Sequence, residues 1–246
     1  MGKDCGIKMN AIIKKYLSKL YKETEDFKDE NTILAVKEHG PFNTLLDVGC
    51  WKGEKTILYS KAGEVKKILG IEPIDHAAKS AEEKKIKVFK AYADSEKWPI
   101  EDNSVDVVVS SEVIEHLVNV DFYFQEAHRV LKKGGIMINT TNNLASFHNI
   151  FSLLFGFAPF DLTNSSRKVW SIGNPFSLHN RQPLSERGET WLHKCVYTPK
   201  WLSQWQGLYG FETVKIYGAG FYPLPAFIGN IFKNHCAFFT LVGKKK

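Results

Sequence analysis

Leu45-Leu46-Asp47-Val48-Gly49-Cys50-Trp51-Lys52-Gly53 is the stretch on which the fold of this chain turns. Residues Thr44 to Val48 form a short apolar run, read as a buried strand, and Gly49 and Gly53 break it before Glu54 to Lys61 resumes with a helical pattern. A buried strand that feeds a glycine-bearing turn and then a helix leaves the first N–H groups of that helix open toward the strand end. The two glycines permit positive φ and let a ligand come close to the backbone.

The same alternation continues outward. Downstream lie a strand at Lys67 to Ile71, a polar helix at Asp75 to Lys85, and strands at Ile86 to Tyr92 and Val105 to Ser110. A helix over Phe122 to Leu131 closes at Lys132-Lys133-Gly134-Gly135, and Ile136 to Thr140 is a further strand. Upstream, apolar spacing predicts one helix over Met9 to Leu20 and a second over Asn31 to His39, ending at Gly40-Pro41. Near the end come a helix at Thr198 to Leu208 and strands at Phe211 to Tyr217 and Ala237 to Val242. Strands separated by helices predict an α/β fold, a doubly wound and mostly parallel sheet of about seven strands with helices on both faces. Residues 144–197 interrupt the rhythm. They begin with an apolar helical face (Phe147, Ile150, Phe151, Leu154, Phe155) and pass into a stretch with Gly173, Pro175, Pro183 and Gly188. The chain thus divides into N-terminal helices (1–40), a ligand-binding core (41–143), an insertion over the site (144–197) and the C-terminal part of the core (198–246).

Composition narrows the class. Of 246 residues, 43% are hydrophobic and 24% charged, as in ordinary globular proteins, so disorder is confined to the ends. The net charge of +6 is spread among interleaved acids and bases, so no nucleic-acid stripe emerges, and Lys244-Lys245-Lys246 reads as a solvated end. Four cysteines without CxxC spacing predict free thiols, and neither a secretory signal nor an apolar stretch long enough to span a bilayer is present, which predicts a cytoplasmic protein.

Glu72 ends the second strand 23 residues after Gly49. A carboxylate there can accept hydrogen bonds from both hydroxyls of a ribose, at the strand ends where such ligands sit. Dinucleotide sites want G-x-G-x-x-G, and here the turn is Gly49-x-x-x-Gly53, which disfavours NAD or FAD.

Four blocks in this order resemble the class I S-adenosylmethionine-dependent methyltransferases, Rossmann-like enzymes, and within them the methyltransferase type 11 group. They are Leu45 to Gly53; Gly70-Ile71-Glu72-Pro73; Ala91-Tyr92-Ala93-Asp94 with Trp98-Pro99-Ile100 and Asn103 to Val108; and Glu112 to Leu117 with Glu126 and Arg129 to Gly135. The likeness covers about residues 40–142 and returns at 198–243. It implies S-adenosylmethionine as cofactor and S-adenosylhomocysteine as product. It implies that Gly49, Cys50 and Gly53 line the methionine part with Asp47 orienting the turn. Glu72 would hold the ribose, Pro73 and Ile74 would flank the adenine, Asp94 would accept from the adenine amino group with Ser95 beside it, and Ser111 and Glu112 would lie near the sulfonium. The family's turn usually carries glycine where Trp51 stands, and that side chain either points outward or narrows the methionine pocket.

The acceptor side is less legible. A base helps if the acceptor is a hydroxyl, and histidine is the natural group near neutral pH. The candidates are His116, near the end of the fourth strand, and His148 and His193, flanking the insertion; each serves either the acceptor or local packing. Asn142 and Asn143 either meet the acceptor or cap the next helix. No HxxxH or HExxH motif occurs, so no metal is expected. The last 105 residues hold 20 of the 32 aromatics, which makes the insertion a lid over an apolar acceptor, an enlarged packed core, or a weak contact with a membrane surface. The expected reaction is methylation of a small molecule, on an oxygen of a saccharide, isoprenoid or lipid-linked precursor. An RNA-directed enzyme (with Arg167, Lys168, Arg181, Arg187 and Lys194) and a non-catalytic binding module are the alternatives.

Overall fold

The computed structural model describes residues 11–162, 171–178 and 192–246. Seven strands form one sheet in the order β3-β2-β1-β4-β5-β7-β6. They are β1 (Thr44–Val48), β2 (Lys67–Ile71), β3 (Lys87–Phe89), β4 (Val105–Ser111), β5 (Leu131–Asn142), β6 (Phe211–Ala219) and β7 (Phe238–Lys245). The first five run parallel, and β7 pairs antiparallel with both β5 and β6. Connecting helices are α1 (Ala11–His39), α2 (Glu54–Ala62), α3 (Asp75–Glu82), α4 (Val120–Val130), α5 (Phe147–Leu154), α6 (Pro199–Leu208) and α7 (Ile228–Ile231). The strand order reverses between β1 and β4, which opens a crevice at their C-terminal ends.

Alternation along the strands decides which core each residue joins. Leu46 and Val48 face one side, with Val108 and Met137, against Tyr123, Phe124 and Ala127 of α4 and Leu202 of α6. Leu45, with Val107, Val109 and Ile138, faces the other side, against Ala35 and Val36 of α1 and Tyr59 of α2. All five residues of β1 are buried, as expected for a central parallel strand covered on both faces.

The two N-terminal helices predicted from spacing are one helix of 29 residues. Apolar spacing lapses between them because from Tyr21 to Thr32 the inward stripe is polar, with Thr24, Lys28, Asn31 and Thr32 all buried. Element boundaries also move. β5 begins at Leu131, directly after α4, so Lys132-Lys133-Gly134-Gly135 is not a helix cap but the start of the strand, with Gly134 at φ 76°. The basic end is not solvated throughout either. Lys245 is buried in β7, and its Nζ donates to the Leu131 carbonyl at 2.6 Å, to the His128 carbonyl at 2.5 Å and to Asn103 Oδ1 at 3.0 Å. A lysine there satisfies carbonyls at the C-terminus of α4 that the helix cannot pair itself.

Within the insertion, α5 is capped by Ser146, whose Oγ accepts from the Asn149 N–H. Asn142 and Asn143 therefore do not cap it. Asn143 Nδ2 instead donates to the carbonyls of Cys236 at 2.8 Å and Asn234 at 3.0 Å, tying the end of β5 to the approach to β7. Of the residues singled out in this region, Arg167, Lys168, Arg181, Pro183, Arg187 and Gly188 lie outside the described residues.

Candidate active site

Gly49 and Gly53 adopt φ of 76° and 83°, the left-handed conformation that glycine takes without penalty. A Cβ on Gly49 would run into a methyl of Val113. Trp51 between them also has positive φ, 47°, which explains why related turns favour glycine at that position. Its ring meets His76 of α3 edge-on with centroids 5.3 Å apart, so the side chain leans toward the second strand and its helix. Cys50 is buried in a small cluster with Ala81 and Ile86, which leaves its backbone as the part able to face a ligand. Asp47 is fully buried, and its Oδ2 accepts from the Thr56 hydroxyl at 2.6 Å, clamping β1 to α2. Burial pushes its carboxyl up to about 7.

Glu72 directly follows β2 with its carboxylate aimed back at the turn. Oε2 accepts from the Trp51 N–H and Oε1 from the Ile74 N–H, both at 2.9 Å. Each oxygen keeps a second lone pair, so two further donors, such as the hydroxyls of a ribose, can be accommodated. Burial raises this carboxyl above its ordinary range. Pro73 follows at the same edge, half-buried. Asp94 Oδ2 accepts from the Val118 N–H at 2.7 Å, which anchors the loop beyond β3 to the segment before α4, with Ser95 exposed beside it. Glu72 and the glycine turn are thus joined directly, through the Trp51 N–H, and Asp94 is tied to the segment before α4.

Ser111 closes β4, and Glu112 follows in left-handed conformation, φ 56°. Glu112 is held by Lys28, a lysine of α1 with no exposed side-chain surface. Lys28 also pairs with Glu25 at 2.8 Å and lies 3.7 Å from Asp29, which Lys55 reaches at 2.7 Å. Burial opposes both charges, but Lys28 and then Lys55 hold Glu112 below the usual carboxylate range, and Glu112, Glu25 and Asp29 hold Lys28 above its ordinary value. Sequence reading missed Lys28. The signal was there in principle, as a lysine on the inward stripe of a helix.

Three histidines gather beyond Glu112. The rings of His116 and His193 meet edge-on with centroids 4.9 Å apart, although 76 residues lie between their positions. Nδ1 of His116 is 3.3 Å from the Leu192 carbonyl, and Nδ1 of His193 is 2.6 Å from that of Asp161. Burial lowers both, His193 to about 4 with His116 adding to the effect. His148 lies on the inner side of α5, its ring 5.1 Å from that of Tyr222, and burial lowers it to about 3. Asp161 links these groups. Its oxygens accept from Asn142 Nδ2 at 2.9 Å and Asn149 Nδ2 at 2.6 Å, and Oδ2 is 3.8 Å from His148 Nε2. Tyr21 of α1 borders this group electrostatically through Glu112 and Asp161.

The absence of a linear metal motif does not prevent folding from bringing possible ligands together. Glu115, His116 and His193 present ligand atoms within 4.8 Å of one another, so among the described residues they are the set that could hold an ion. Linear spacing could not show it, because His193 comes from the far end of the insertion.

Residues 46–139 match the family profile described as a methyltransferase domain. The chain carries a methyltransferase domain of the class I, S-adenosylmethionine-dependent kind. The methyltransferase aligns, at 28% identity over 140 residues, with the human mitochondrial ubiquinone biosynthesis O-methyltransferase, covering 51% of this chain and 37% of that one. It aligns at 27% identity over 175 residues with the ubiquinone biosynthesis O-methyltransferase of Pelagibacter ubique, covering 59% and 72%. The chain thus spans well under half of the mitochondrial relative. A solved structure from Thermotoga maritima, described as a SAM-dependent methyltransferase and possible histamine N-methyltransferase, superposes with a TM-score of 0.59 at 20% identity over 96% of this chain and 98% of that one. That likeness establishes the fold. The residues of the methyltransferase fit its cofactor: Glu72 keeps one lone pair per oxygen for the ribose, and Gly49 and Gly53 keep the turn free of side chains.

Glu115 carries a consequence for pH. Its Oε2 accepts from the Thr141 hydroxyl at 2.9 Å while Oε1 is buried without a hydrogen-bond partner among the described residues. Burial, then Glu112, pushes its carboxyl from 4.5 up to about 8. Between those values the folded chain holds a proton that the unfolded chain releases, so this group's contribution to stability is greatest below pH 4.5 and falls until about pH 8. Glu115→Gln mimics the protonated form. The variant is expected to lose less stability than the parent between pH 5 and 8, by up to about 1.4 kcal/mol per pH unit, as read from melting temperatures across that range.

Proposed function

We propose that the methyltransferase moves a methyl group from S-adenosylmethionine to an oxygen of a small acceptor, a saccharide, isoprenoid or lipid-linked precursor. The cofactor supplies an activated methyl on a sulfonium, so the protein's tasks are to align the acceptor oxygen and to take its proton. The observation that carries this reading is the pairing of His116 and His193 beside Glu112, at the strand edge that also bears Glu72. The names of the relatives, at 28% and 27% identity, support oxygen as the target and an isoprenoid-bearing acceptor.

His116 is the base in this reading. A neutral imidazole that donates through Nδ1 to the Leu192 carbonyl carries its lone pair on Nε2. His193, held near pKa 4, is the weaker base and orients the His116 ring. His148, lower still and packed against Phe160 and Tyr222, serves as wall. Glu72 holds the ribose, Asp94 and Ser95 the adenine side with Pro73, and Asp47, Gly49, Cys50 and Gly53 shape the turn around the methionine part, with Ser111 and Glu112 beside the reacting methyl.

His116→Ala is expected to lower kcat about 10²- to 10⁴-fold with little change in KM for the cofactor. The acid limb of the rate profile, which the lowered His116 sets below pH 6.5, is expected to vanish in that variant. Transfer of radiolabelled methyl to hydroxylated isoprenoids and to saccharides, compared for both proteins, reads kcat, KM and acceptor class together. Unchanged kcat and an intact acid limb would remove His116 from the role of base.

A further inference from the structure

Helix α5 is built inside out. Its polar residues Asn149 and Ser152 are buried, at 0% and 1% exposure, while Leu154 and Phe155 are exposed at 78% and 59%. A surface helix normally does the reverse. The polar side is used: Asn149 bonds Asp161 and the Asn143 carbonyl, and Ser152 accepts from Asn174. The apolar side faces outward, and it is not isolated. Phe147 stacks on Phe221 with centroids 5.4 Å apart, and Phe221 lies 5.4 Å from Phe232 near α7. The Tyr16 hydroxyl of α1 donates to the Pro223 carbonyl at 2.9 Å, bringing the first turns of α1 to the same face. Among the described residues, 13 of the 23 large apolar side chains that are exposed fall on these three segments, 11–16, 147–155 and 224–232. Scattered exposed apolar residues need no explanation, but a contiguous set marks an interaction surface.

Charge identifies the partner. Residues 11–22, 144–160 and 221–235 contain no aspartate or glutamate, whereas Lys14, Lys15, Lys19, Lys22 and Lys233 are all exposed there. An apolar face ringed by one sign of charge suits a bilayer surface bearing anionic headgroups, into which Phe, Leu and Ile side chains insert while the lysines meet the phosphates. No described helix is long and apolar enough to cross a membrane, so contact of this kind lies in the surface plane. We propose that α5, residues 221–232 and the first turns of α1 dock the protein on a membrane containing anionic phospholipid. The inner side of that face carries His148 and Tyr222, so an acceptor leaving the bilayer would enter the site directly. The proposal goes beyond methyl transfer and does not depend on it.

Vesicle sedimentation of the full chain without cofactor tests it. The protein is expected to sediment with vesicles of phosphatidylcholine and phosphatidylglycerol, and at least about tenfold less with phosphatidylcholine alone. A Leu154→Glu/Ile231→Glu variant, altered only at exposed positions, is expected to bind at least about tenfold more weakly while its thermal melting stays that of the parent. A Lys14→Glu/Lys15→Glu/Lys233→Glu variant is expected to lose the preference for phosphatidylglycerol. The proposal is overturned if the parent stays in the supernatant with both vesicle types. It is equally overturned if gel filtration shows a dimer that the Leu154→Glu/Ile231→Glu variant dissolves while neither protein binds vesicles, which would assign the face to a second copy.

Discussion

Replacing Glu72 by alanine is expected to weaken S-adenosylmethionine binding by about two to three orders of magnitude. Two charge-assisted hydrogen bonds to a ribose contribute roughly 1.5–3 kcal/mol each when measured by removal, and each 1.4 kcal/mol is tenfold in affinity. The side chain also accepts the N–H groups of Trp51 and Ile74, so its loss frees the turn that carries Gly49 and Gly53. Glu72→Gln separates these effects. The amide keeps one acceptor oxygen, so it is expected to retain part of the turn geometry while losing most of the ribose binding. Thermal shift on cofactor addition reads both variants. An alanine variant that is stabilised by the cofactor as strongly as the parent would mean that Glu72 does not hold the ribose.

Lys28→Met is expected to destabilise the protein by about 3–5 kcal/mol, because it leaves Glu112 without its buried partner. At about 2–4 °C per kcal/mol for a chain of this size, the melting temperature should fall on the order of 10 °C. The lysine is fully buried and serves Glu112 and Glu25, with Asp29 close by, so the substitution leaves three carboxylates with Lys55 as their remaining cation among the described residues. Adding Glu112→Gln to Lys28→Met is expected to restore a large part of the loss, since removing both charges is far less costly than removing one. A double variant as unstable as the single one would show that Lys28 acts through packing against Phe238, over whose ring its ammonium sits at 5.1 Å, rather than through the ion pair.

These two residues also mark the limit of what linear pattern conveys. The place of Glu72 beside the turn was legible because it depends on the distance from Gly49 along one strand–turn–helix–strand unit, and that distance survives folding unchanged. The parallel strands themselves were legible for the same reason: each apolar run of β1, β2 and β4 is short, continuous and followed by a helix. Lys28 was not, because a polar residue on the inward stripe of a helix looks like a gap in the helix, and the 29-residue α1 was therefore split in two. His193 was visible as a histidine but not as a neighbour of His116, since only the course of the insertion brings residue 193 back to the end of β4. α5 was read as an apolar helix, but spacing gives the period of a stripe and not the direction it faces. The outward orientation follows from Asn149 and Ser152, whose hydrogen-bond partners lie inside.

The claim on which the functional reading rests is that the edge formed by Gly49, Gly53 and Glu72 binds S-adenosylmethionine. Isothermal titration of the unmodified full chain with S-adenosylmethionine and with S-adenosylhomocysteine tests it most directly. The account predicts one-to-one binding of both in the micromolar range. Absence of heat with either, from a chain whose circular dichroism and melting show it folded, would contradict the account and would point to Trp51 in the glycine turn as the residue that closes the site.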